Sequence, residues 1–260
     1  MSSANRGGTP PTISPDGYRV ETGFDDKDGQ PHSVLTVPPS NNALLPYDDE
    51  LTSQHFLDIA IGEQLDAFRE LRTRLLAMGA GIGLNRFTVL VVPVTSGSGA
   101  NFVARNLAVA FTLQERQRTI LLDYNLQAPT QHIAFDLVEN SDGLFDYLEN
   151  PHIRPERLLY RTELPGLYLI PAGRPSSSSR EYFSSSAMRA VLAWLRKTPN
   201  FLVLDGPPVT GSPDARILSE LADFVVLVAG YGRDTAEGIA RAAALFDPAK
   251  FTGVVFNNQV

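Results

Sequence analysis

Three segments of this chain carry residue types and spacings that could handle phosphate. The first, Thr95-Ser96-Gly97-Ser98-Gly99-Ala100-Asn101, follows an apolar run and opens onto a helical pattern. A glycine-containing turn in that place can aim backbone N–H groups at an anion, and the helix dipole adds to the attraction. Most Gly-Ser-Gly stretches are plain turns, so the loop alone is a weak signal for phosphate and its spacing favours a turn. The second and third segments are apolar runs that each end on a carboxylate: Ile120-Leu121-Leu122-Asp123-Tyr124-Asn125 and Phe201-Leu202-Val203-Leu204-Asp205-Gly206-Pro207-Pro208. An aspartate there often does no more than shape the next turn. Two of them, on strands able to flank a glycine loop, point towards an ancestral Mg²⁺-nucleotide site. A separate set, Asp66, Arg69 and Arg72, falls on one helical face. Spacing alone favours a solvated face with an i,i+3 charge pair.

The elements that must position these groups are legible in the hydrophobic pattern. Between Phe56 and Met78, Ile61, Leu65, Phe68, Leu71 and Leu75 recur at spacings of three and four, the mark of an amphipathic helix. Strands are expected at 87–94, 119–123, 167–171, 201–205, 224–229 and 251–256. Helices are expected at 101–116, 187–197 and 235–246. The continuous β-branched character of Phe87–Val94 is that of a strand buried on both faces. Alternation of this kind gives a parallel sheet sandwiched between helices, an α/β fold in which ligands bind beyond the carboxyl ends of the strands. All three phosphate candidates lie at such ends.

Composition bounds the rest. With 260 residues, 43% hydrophobic and 20% charged, the chain can bury one large domain. Residues 1–50 hold seven of the 19 prolines and five glycines, and eight acidic against three basic residues. They are expected to form a disordered acidic segment ahead of a single domain over 51–260. No run is long enough to span a membrane, no apolar signal core begins the chain, and cysteine is absent. A cytoplasmic location is expected. A net charge of −7 argues against a nucleic-acid partner. The four histidines lack metal-ligand spacing, so no metal site is expected among them. Ser98 has no motif-placed base for nucleophilic chemistry.

The assembled segments resemble the cytoplasmic domain of the bacterial tyrosine kinases that control capsule and exopolysaccharide synthesis. The resemblance covers about residues 60–256. It is carried by the glycine loop, by the two aspartate-ending strands, and by Gly143-Leu144-Phe145-Asp146-Tyr147-Leu148, Leu164-Pro165-Gly166-Leu167-Tyr168-Leu169-Ile170-Pro171-Ala172-Gly173 and Leu204-Asp205-Gly206-Pro207-Pro208-Val209. It implies a P-loop NTPase-like fold. It also makes Asp66, Arg69 and Arg72 similar to the family's Glu-x-x-Arg-x-x-Arg oligomerisation helix.

Departures from the family pattern concentrate at the phosphate site. The family's loop lysine falls on Ala100 and its Ser/Thr on Asn101, while its Asp-x-Asp-x-Arg motif reads Asp123-Tyr124-Asn125-Leu126-Gln127. The three lysines of the chain, Lys27, Lys197 and Lys250, are badly placed to substitute, and Arg105 on the following helix is expected to face solvent. A charge-assisted hydrogen bond is worth about 1.5–3 kcal/mol. Losing three removes on the order of 5–9 kcal/mol, whereas a micromolar ligand is held by only about 8. The expectation is a vestigial nucleotide site formed by Gly97, Ser98, Gly99, Ala100, Asn101, Asp123, Asn125 and Asp205, with ATP and Mg²⁺ binding weak or absent and no catalytic residue. The chain is then a pseudokinase, a non-catalytic scaffold docking on a membrane co-polymerase or an active kinase relative, peripheral at the inner face of the cytoplasmic membrane. The alternative is a weak nucleotide-dependent switch, or a residual ATPase or tyrosine kinase, of the same pathway. Homo-oligomer formation is left open.

Overall fold

The computed structural model describes residues 19–22, 33–37 and 59–258, apart from 115–117, 127, 136, 138–140, 163, 175–181, 183–184, 198–199 and 212. Among the described residues nine strands form one sheet: β1 Arg19–Thr22, β2 Ser33–Val37, β3 Thr88–Pro93, β4 Arg118–Asp123, β5 Tyr160–Thr162, β6 Leu167–Ile170, β7 Asn200–Asp205, β8 Phe224–Gly230 and β9 Phe251–Asn257. Their order is β1-β2-β5-β6-β4-β7-β3-β8-β9. From β6 to β9 every pairing is parallel. Antiparallel pairings join β1 to β2 and β5 to β6 at the other side.

The helices are α1 Ile59–Gly81, α2 Ala100–Thr112, α3 Gln131–Ala134, α4 Leu144–Glu149, α5 Ser186–Leu195, α6 Asp214–Ser219 and α7 Ala236–Ala243. Central strands are apolar on both faces because each face is covered. Leu90 and Val92 of β3 join a core with residues of α4, α5, α6 and α7. Val89 and Val91 face the opposite core, which α1 and α2 complete. This is the sandwiched, largely parallel sheet that the pattern predicted, in keeping with the P-loop NTPase-like fold that the resemblance implied.

Two departures from expectation concern the N-terminal part and the charged face of α1. Within residues 1–50, read from composition as disordered, Arg19–Thr22 and Ser33–Val37 pair as strands, and the remainder lies outside the described residues. On α1, Asp66 and Arg69 form an exposed pair at 3.2 Å. Arg72 instead turns inward: its Nη1 donates to the Ala110 carbonyl near the C-terminal end of α2 at 2.8 Å. Its guanidinium therefore binds α1 to α2, beside the Phe68–Phe102 edge contact at 5.9 Å. Arg72→Ala is expected to cost about 1–3 kcal/mol in chemical denaturation. Arg69→Ala should stay within about 0.5 kcal/mol, as surface pairs do.

Candidate functional site

The glycine loop leaves β3 at Pro93 and re-enters regular structure at α2. Gly97 and Gly99 take φ of +87° and +88°, a left-handed backbone that favours glycine and lets successive amides converge. Helix α2 starts on Gly99, which brings no capping side chain. The Asn101 carboxamide oxygen accepts from the Phe102 N–H at 2.8 Å, and its Nδ2 donates to Thr130 Oγ1 at 3.1 Å.

The back of the loop is fastened to the turn after β8. Asp234 accepts from Thr95 Oγ1 at 2.6 Å, from Ser98 Oγ at 2.7 Å and from the Gly230 N–H at 2.7 Å. Burial raises the Asp234 pKa, but the Thr95 and Ser98 hydroxyls, the Gly230 amide and Arg233 outweigh it and hold the carboxyl below the usual range. Arg233 Nη1 donates to the Ser96 carbonyl at 2.8 Å, and Asn257 Nδ2 to the Ser98 carbonyl at 3.2 Å. Ser98 is thus spent inside the loop and wholly buried.

Asp123 and Asp205 come together as register partners on the adjacent strands β4 and β7. Both are almost completely buried. Asp123 accepts from three backbone N–H groups, those of Asn125 at 3.1 Å and of Thr130 and Gln131 at 3.0 Å. Gln131 links the parts of the site. Its Nε2 donates to Asp205 Oδ2 at 2.6 Å and to the Asn101 carbonyl at 3.1 Å, while its Oε1 accepts from Arg105 Nη1 at 3.3 Å. Burial pushes both carboxyl pKa values up. For Asp205 the Asp123 charge adds to the rise; Gln131 and Arg105 oppose it. Burial works against the Arg105 charge, and Asp205 and Asp123 sustain it.

Arg105 was expected in solvent and is only 8% exposed. The correction has a plain cause: α2 is buried on nearly every side, at Ala100 and from Val103 to Thr112, so a charge on it is buried and must be paired. Gln131, Arg233, Asp234 and Asn257 were missed altogether, because no motif marks them.

Above this network opens a cleft of about 290 Å³. Gly97, Gly99, Ala100, Asn101, Asn125 and Asp205 line it. Of the other candidates, Ser98 and Asp123 lie buried beside or beneath it, while Asp66, Arg69 and Arg72 belong to α1 and do not line it. The loop offers a polyphosphate two left-handed glycines at the mouth of the cleft, while the Ser98 N–H between them is spent on the Thr95 carbonyl at 3.2 Å. The carboxylates fit Mg²⁺ poorly: both Asp123 oxygens are engaged by amides, and Gln131 occupies one Asp205 oxygen.

Fold and site together define an α/β domain of the P-loop ATPase type. No protein-family model matches the sequence. The chain is 26% identical over 196 residues to the putative tyrosine-protein kinase CapB of Staphylococcus aureus, covering 75% of this chain and 84% of CapB. It is 28% identical over 196 residues to the tyrosine-protein kinase YwqD of Bacillus subtilis (strain 168), covering 75% and 81%. It also superposes on the BceF tyrosine kinase domain with a TM-score of 0.66 at 25% identity, over 80% of this chain and 81% of that one. The chain is thus similar to bacterial tyrosine-protein kinases, as its motifs implied.

The expectation that it is no enzyme is corrected by the same findings. Its relatives are named as tyrosine-protein kinases, and a tyrosine kinase domain shares its fold, which points to an enzyme. The substitutions at Ala100 and Asn101 change side chains, whereas part of a P-loop's hold on phosphate comes from backbone amides, and here Gly97 and Gly99 keep a left-handed backbone.

Proposed function

We propose that the chain is a nucleotide-dependent switch of the tyrosine-kinase family, with slow residual phosphoryl chemistry, acting in capsule or exopolysaccharide polymerisation and export. It docks on a membrane chain-length or co-polymerase protein, or on an active kinase relative, at the inner face of the cytoplasmic membrane. Among the described residues no helix is long and apolar enough to cross a membrane, so attachment through a partner is the route proposed.

One observation carries the reading: the loop keeps two left-handed glycines at the mouth of a cleft that reaches Asp205. A nucleotide held there would present its terminal phosphate as the transferable group. Asp205 and Asn101 line the same cleft, and the loop amides would hold the phosphates. With lysine and hydroxyl replaced, affinity is expected to be weaker than micromolar.

Gene deletion followed by complementation tests the reading through polysaccharide output. Output should fall on deletion and return with the wild-type chain. It should not return with Gly97→Val, whose added side chain would meet the Arg233 guanidinium at a site of φ +87°. Unchanged output on deletion would remove the pathway role. Full complementation by Gly97→Val would remove the nucleotide switch.

A further inference from the structure

We infer that Arg233 supplies the cation for the bound polyphosphate in place of the absent loop lysine, and that the chain therefore binds polyphosphate without a divalent metal. This inference rests on the nucleotide-responsive reading of the cleft. The turn between β8 and α7 is held against the loop by the two hydrogen bonds that Asp234 accepts from Thr95 and Ser98, and is braced internally by a third from the Gly230 N–H, so Arg233 is delivered to the loop by a fixed piece of backbone. Its Nη1 is bound to the Ser96 carbonyl, and an added Cβ on Gly97 would lie only 2.7 Å from that nitrogen. Gly97 lines the cleft, so the guanidinium stands within a side chain's width of a lining residue.

Arg233 is exposed, and a guanidinium carries five N–H donors in a fork suited to phosphate oxygens. Gly97 thus serves two ends: it permits the left-handed backbone, and it leaves room for the guanidinium.

Among the described residues, the cations nearest in sequence role are placed elsewhere. Arg105 lies beneath the cleft against Gln131, Asp123 and Asp205. Lys250 donates its ammonium to the carbonyls of Ser219 and Glu220, ahead of β9 and so at the far end of the sheet. Lys197 follows α5 and precedes β7, at that same far end. Metal recruitment is disfavoured by the three amides that Asp123 already accepts from and by the Gln131–Asp205 bond. Of these described cations, Arg233 is the one the structure places against the glycine loop.

Calorimetric titration of the full chain with tripolyphosphate and with ATP, each in Mg²⁺ and in EDTA, tests this. Wild-type affinity for tripolyphosphate should change by less than about twofold between Mg²⁺ and EDTA. Arg233→Ala should weaken it by about tenfold or more, the worth of one charge-assisted contact. Arg233→Lys should recover part of that loss, and Arg241→Ala, on α7 and paired with Glu237, should leave affinity unchanged. Thermal melting confirms that each variant is folded, and the lysine variant answers the case in which Arg233→Ala is not. Loss of wild-type binding in EDTA, or wild-type affinity in Arg233→Ala, would overturn the inference and leave the nucleotide reading standing. No binding of ATP or tripolyphosphate by the wild type in either condition would overturn both.

Discussion

Replacing Arg105 by alanine is expected to destabilise the chain by on the order of 3–5 kcal/mol, the usual cost of removing one partner from a buried ionic group. The guanidinium lies almost wholly buried beside two carboxylates that are themselves buried. Without it, the Gln131 oxygen loses a donor and the Asp123–Asp205 pair loses the charge that offsets its repulsion. Urea denaturation measures the loss. Above about pH 8, where the folded Asp205 is ionised, the double variant Arg105→Ala/Asp205→Asn should recover a substantial part of it, because it also removes one of the carboxyl charges. A loss below about 1 kcal/mol, with no coupling to Asp205→Asn, would mean that Arg105 does not balance the pair.

The second large effect is a dependence of stability on pH. In the folded chain Asp205 has its pKa raised, by burial first and then by Asp123, whereas in the unfolded chain it titrates near the ordinary value of about 3.9. A raised pKa means that the folded state binds the proton more tightly. Its ionisation therefore costs nothing below about pH 4 and progressively more above it, the cost being complete once the folded carboxyl has ionised at about pH 8. Wild-type stability should fall by a few kcal/mol between about pH 5 and pH 9. Asp205→Asn keeps an oxygen that accepts from Gln131 and cannot ionise, so its stability should be much flatter over that range. An identical pH profile for the two proteins would remove Asp205 from the account.

The parts of this molecule legible in sequence are those fixed by local pattern. The apolar runs into Pro93, Asp123 and Asp205 mark strands buried on both faces, and their carboxyl ends place the glycine loop and both aspartates together. Arg105 was misjudged although a signal was present. From Val103 to Phe111 nearly every neighbour is apolar, and a helix with no polar stripe has no solvent face on which to put an arginine. Gln131 and Arg233 had no such signal. One opens a four-residue helix and the other sits in a turn, and each acquires its role only when β7 or the loop arrives from more than 70 residues away. Arg72 shows the converse: its spacing on α1 matches an exposed charged face, yet the carbonyl of Ala110 draws it inward.

The central claim is that the loop still holds nucleotide despite Ala100 and Asn101. Its most direct test is calorimetric titration of the purified chain with ATP. Saturable binding weaker than micromolar and complete by millimolar nucleotide is the predicted result, and it should be lost in Gly97→Val. Absence of binding up to millimolar nucleotide would contradict the claim and leave the loop as a turn that only joins β3 to α2.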